Sequence, residues 1–75
     1  MIRELDQVVL TVDLRELGLV RGDIGTVVLL HGEEGYEVEF VALDGETIAI
    51  ASLATNQVRA IDPREIAQAR AVEPV

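Results

Sequence analysis

From Asp6 onward, short apolar, β-branched runs alternate with polar breaks marked by glycine, and this pattern predicts five strands. DQVVLTV, Asp6 to Val12, reads as the first. DLRELGLVRGD interrupts it with Gly18 and Gly22, which predicts a loop holding at most one helical turn. Gly22 and Asp23 supply turn chemistry, and Gly25 allows a backbone geometry or a close approach that a side chain would forbid. TVVLLH, Thr26 to His31, is then the second strand, and GEEG closes a hairpin into YEVEFVAL. There Tyr36, Val38, Phe40 and Ala42 fall on one face and Glu37 and Glu39 on the other, because strand side chains repeat every two residues. Asp44-Gly45 is the strongest hairpin signal in the chain and leads into ETIAIAS, Glu46 to Ser52. LATN reads as one tight turn of 3₁₀ character before a last short strand, QVRAI, Gln57 to Ile61.

The tail changes period. In DPREIAQARAVEPV, Asp62 stands where an N-cap belongs, Pro63 suits the first helical position and Glu65 completes a capping-box spacing. These signals predict a short helix from about Pro63 to Ala71, too poor in apolar residues to stand alone and so expected to dock. The expected organisation is a barrel over residues 1–61 and a helical tail over 62–75. Five short strands, a long first loop, two tight hairpins and a turn before the last strand predict an all-β fold: a small five-stranded SH3-like barrel with a short C-terminal helix.

Several strands carry more apolar surface than a solitary barrel needs. TVVLL is aliphatic on both faces, with Val27 and Leu29 expected on one and Val28 and Leu30 on the other, and VVLTV, FVAL and TIAIA repeat the trend. A half-buried antiparallel strand should alternate, so the second apolar face needs a cover, either the C-terminal helix or a second chain. Val28, Leu30, Val41 and Leu43, with Ile66 on the tail, are the candidate interface residues, and a homo-oligomer or an obligate heteromer is expected.

Size sharpens this expectation. A chain of 75 residues buries only about 60% of its unfolded surface, and scaffolds of this size gain stability from disulfides, metals or association. There is no cysteine and only one histidine, His31, which leaves association. The absence of cysteine and the charged start MIRELDQ predict a cytoplasmic location, and no apolar run approaches a membrane span.

Charge narrows the partners. Fourteen acidic residues face six basic ones, all arginine, for a formal net charge of -8. Phosphate-binding surfaces need clustered cations, whereas Arg3, Arg15, Arg21, Arg59, Arg64 and Arg70 are scattered, so no nucleic-acid binding is expected. An acidic surface suits solubility or steering toward a basic protein. No chemistry-bearing motif appears. GDIG lacks the longer glycine series and the following helix of a phosphate-binding loop. His31 has no second histidine beside it. Glu33, Glu34, Glu37, Glu39, Asp44 and Glu46 gather around two hairpins but are expected to form a solvated face, not a converging cation site. No catalytic, cofactor or metal residues are assigned, and no enzymatic activity is expected.

The runs ELDQVVLTVDLRELGLVRGDIGTVV, YEVEFVALDGETIAIASL and NQVRAI resemble the small bacterial family called domain of unknown function 4926, over about Glu4 to Ile61. LVRGDIGTVV, YEVEF and LDGET are its most specific parts. The resemblance implies a short cytoplasmic protein with an SH3-like barrel and no attached enzymatic activity. Its GDIGTVV turn is similar to that of ribosome-associated KOW modules, but the charge here argues against an RNA contact. The expected function is a small interaction module that binds a cognate, basic protein, as the acidic neutralising half (antitoxin- or immunity-like) of a bacterial two-protein system. The alternative is a homo-oligomeric structural protein without a dedicated partner.

Overall fold

The structure is a computed structural model and describes residues 1–72. Five strands form: β1 (Gln7–Leu10), β2 (Ile24–Leu30), β3 (Gly35–Val41), β4 (Thr47–Ala54) and β5 (Val58–Ala60). The long loop carries one 3₁₀ turn at Arg15–Leu17, ended by Gly18 in the left-handed conformation, and a second 3₁₀ turn, Thr55–Gln57, leads into β5. All neighbours are antiparallel, in the order β4-β3-β2-β1-β5. The sheet is open. β4 and β5 are its two edges, and closure into a barrel is not seen.

Residues directly opposite in an antiparallel ladder share a face, so the register assigns the two sides. One face carries Val8 opposite Gly25, Leu10 opposite Val58, Val27 opposite Val38, Val38 opposite Ala51 and Tyr36 opposite Leu53. With Leu19 from the long loop and Phe40, these build the hydrophobic core, in which Val8, Leu10, Val27 and Val38 are wholly buried. Gly25 is the close approach that its position suggested. A Cβ there would lie 2.5 Å from Val38 Cγ1 and 2.9 Å from Phe40 Cε1. The hairpin at Asp44-Gly45 is also present, with Gly45 at φ 93° and Asp44 Oδ1 accepting the Glu46 N–H at 2.9 Å.

Two β-bulges break the expected alternation. In β2 the register passes from Val27 opposite Val38 to Leu29 opposite Glu37, so Val28 is an extra residue. One inserted residue flips all later positions of the strand, which puts Leu29 on the outer face with Glu37 and pairs Leu30 with Tyr36 of the core face. The sequence assignment of Val27 with Leu29 and Val28 with Leu30 is therefore corrected. A second bulge falls at Ile48, between the pairs Phe40–Ala49 and Val41–Thr47.

The C-terminal helix does not form: among the described residues the tail holds a single turn at Pro63–Arg64 and is otherwise irregular. Its last three positions lie outside the described residues. The capping signals are real, since Asp62 Oδ1 accepts the Arg64 N–H at 2.8 Å and Glu65 Oε1 accepts the Asp62 N–H at 2.8 Å. The segment after Glu65 is too short and too poor in apolar residues to propagate a helix, and distant groups claim its ends. Arg59 binds the Glu65 carboxylate through two 2.7 Å hydrogen bonds, and Arg70 binds Asp23. Among the described residues no helix is long and apolar enough to cross a membrane.

Candidate functional site

The charge of the molecule is divided along the fold. Residues 24–58, which span β2 to the start of β5, hold Glu33, Glu34, Glu37, Glu39, Asp44 and Glu46 and no lysine or arginine. All six arginines lie in the other residues, among the remaining eight carboxylates, so six of the eight surplus negative charges sit on the two hairpins. There three of the six arginines form ion pairs: Arg15 with Asp13, Arg59 with Glu65 and Arg70 with Asp23. The hairpin half is left as a coherent negative field, which attracts cationic groups over distances of roughly a Debye length, about 8 Å at physiological salt.

The same half carries six of the ten exposed large hydrophobic side chains among the described residues; Met1, Leu5, Ile66 and Val72 lie outside it. On the outer face Glu39 lies between Thr26 and Ile50, and Glu37 between Leu29 and Ser52. Ile50 is 57% exposed and Leu29 47% exposed, beside an exposed Val41. The register thus interleaves aliphatic and carboxylate side chains on one surface. Of the residues predicted from sequence, Val28, Leu30 and Val41 are partly exposed, at 36%, 41% and 45%, and Leu43 and Ile66 almost fully exposed. They do not form one patch: Leu30 pairs into the core face, Leu43 sits beside the β3–β4 hairpin and Ile66 projects from the tail. Leu29 and Ile50 were missed. Only the bulge brings Leu29 to the outer face, and a bulge inside an all-aliphatic run leaves no mark in the sequence.

The predicted turn residues divide in the same way. Gly22, with φ 97°, turns the chain so that its N–H donates to the Leu10 carbonyl at 2.8 Å. Asp23 does more than turn, because its carboxylate accepts the Val20 N–H at 2.9 Å and also the Arg70 guanidinium. Arg70 anchors the tail, so that Ala67–Arg70 and Val72 form one wall of a groove of ≈ 670 Å³ whose other wall includes Ile24, Phe40, Val41, Leu43 and Ile48. The tail thus lies beside part of the sheet without helical structure, and Val41 and Leu43 on the groove wall stay exposed.

One polar cluster lies on the outer face. His31 Nε2 lies 2.6 Å from Glu37 Oε2, and the Ser52 hydroxyl donates to that same oxygen at 2.6 Å. Both groups thus bind one carboxylate oxygen, which makes Glu37 the shared acceptor of the cluster. The hydrogen bond from Ser52, followed by that from His31, holds the Glu37 carboxyl below its ordinary range, so the cluster keeps a negative charge in place. Likewise the Arg59 guanidinium, with the Asp62 N–H, brings Glu65 down to about 2. The Arg21 N–H is the main cause of the lowered Asp13. Among the described residues no three acidic or histidine side chains converge on a point that could hold a metal ion.

Residues 4–60 match the family described as "Domain of unknown function (DUF4926)". No curated protein and no solved structure matches the chain.

Proposed function

The chain belongs to this family of domains of unknown function, and on that footing we propose that it is a small non-enzymatic, cytoplasmic module that binds a cognate basic protein. In a bacterial two-protein system it would be the acidic, neutralising half. The observation that carries this reading is the concentration of charge: six carboxylates and no lysine or arginine over residues 24–58, on a surface that also exposes Ile50, Leu29 and Val41. Protein interfaces combine an apolar centre with a charged rim, and a single-sign field selects an oppositely charged partner and speeds its encounter. The strand order, with β1 between β2 and β5, supports reading the open sheet as an SH3-like fold curled about its core.

The alternative, a homo-oligomeric building block, draws on the same exposed aliphatic residues. Pairing two copies through this face would bring two fields of the same sign together, which disfavours it. Size-exclusion chromatography with light scattering separates the two readings, applied to the protein made alone and to the protein recovered from its native lysate. The proposal expects a second, basic chain in the native preparation and dissociation at high salt. A single homo-oligomeric mass in both preparations would contradict it.

A further inference from the structure

We propose that the free edge of β4, at Ile50 to Ser52, is a docking strand for an extended segment of that partner in which basic and apolar residues alternate. The inference rests on the proposed binding of a basic protein and deepens it by naming the surface and the chemistry of its occupant.

The edge itself is the first observation. β4 is eight residues long, TIAIASLA, with no charge and no proline, and no strand lies beyond it among the described residues. Exposed edges are ordinarily blunted by charge, proline or shortness, because unpaired main-chain groups recruit another strand. The opposite edge follows that rule: β5 has three residues, includes Arg59 and runs within three residues into Pro63. β4 does not.

The main-chain groups that face outward can be identified. The Gly35 carbonyl accepts the His31 N–H at 2.9 Å and so points toward β2, which means that the pair Gly35–Ala54 is not mutually bonded. The Ala54 N–H accordingly turns away from β3, and Gln57 Oε1 accepts it at 2.8 Å. By the two-residue repeat of a strand, the N–H and C=O groups of Ser52 and Ile50 point the same way, toward solvent. An added strand would bond to those two residues, and its side chains opposite them would lie on the outer face, with Glu37 and Glu39 one strand further in.

Charge complementarity selects the occupant. Ser52 is small, so a long cationic side chain opposite it can extend over it toward Glu37, and a second one opposite Ile50, two positions along the added strand and so on the same face, can lay its aliphatic stem over Ile50 toward Glu39. A second copy added at this edge would instead set two carboxylate-only hairpin halves side by side.

The test uses the full chain and a capped peptide of four Arg-Val repeats, with a Glu-Val peptide as control, followed by amide hydrogen exchange in about 50 mM salt, where electrostatic binding is strongest. The expected result is slowed exchange at the Ile50 and Ser52 amides with the Arg-Val peptide only, and affinity weakened about tenfold by Ile50→Lys. Ser52→Pro, which removes an outward N–H that an edge position can spare, should weaken it comparably. Absence of binding, protection confined to other strands, equal binding of the Glu-Val peptide, or the same amides protected by self-association would each overturn the proposal. If the native complex contains a basic chain but survives Ile50→Lys unchanged, the edge assignment fails and the broader reading stands. If no basic chain accompanies the protein, the broader reading fails.

Discussion

Arg70 closes the molecule on Asp23. Its Nε donates to Asp23 Oδ1 at 2.7 Å, while Nη2 donates to Asp23 Oδ2 and, at 2.9 Å, to the Gly18 carbonyl. One side chain from the tail thus joins both halves of the long β1–β2 loop and neutralises the carboxylate next to the hairpins. Charge-assisted paired bonds of this kind are stronger than neutral ones. Arg70→Ala is predicted to cost about 1–2 kcal/mol in urea unfolding. It should also open the segment 61–72 to proteolysis while the sheet stays protected.

Gly25 is needed for space. A methyl group would meet Val38 Cγ1 at 2.5 Å, Phe40 Cε1 at 2.9 Å and the Glu39 carbonyl at 3.0 Å, in a core with little freedom to shift. Gly25→Ala is expected to destabilise by about 1–3 kcal/mol, the usual range for overpacking. Chemical denaturation against wild type measures it.

The bulge at Val28 makes neighbouring positions behave differently. Val27 is fully buried and Leu29 47% exposed, so Val27→Gln should abolish cooperative unfolding, whereas Leu29→Gln, which adds no charge opposite Glu37, should change stability by no more than about 0.5 kcal/mol. A severe loss from Leu29→Gln, seen as a collapsed thermal transition, would contradict the register.

Those positions also show how far local sequence signals reach. Clean alternation at Tyr36, Val38 and Phe40 and the Asp44-Gly45 turn place β3 and its hairpin correctly, because both signals are local. TVVLL carries no such signal, and whether Leu29 or Leu30 faces outward depends on pairing with β3. The tail misleads for a related reason. Asp62, Pro63 and Glu65 form a correct local cap, but Arg59 and Asp23 decide the conformation from elsewhere in the chain. The charge division between residues 24–58 and the rest is legible in the sequence, whereas the exposed edge of β4 is not, since strand order has no local signature.

Acidification should weaken the fold through Glu65. Its carboxyl lies at about 2 instead of its usual 4.5, first because Arg59 donates hydrogen bonds to it and then because the Asp62 N–H does. A folded-state value below the unfolded one gives stability that is complete above about 4.5 and is lost as pH falls toward 2. Glu65→Gln should therefore be less stable than wild type at neutral pH, with the difference shrinking over that window. Thermal unfolding across a pH series reads this directly; a constant difference would show that the Arg59 pair has no such role.

The central claim is that the acidic hairpin half binds a basic protein. Its most direct test is the dissociation constant of the native complex, measured between about 50 and 500 mM salt for the wild type and for a Glu39→Gln, Glu46→Gln double variant. Affinity is predicted to fall steeply with salt, and the double variant to bind more weakly at low salt and converge with wild type at high salt. An affinity indifferent to both salt and the two neutralised carboxylates would contradict the claim.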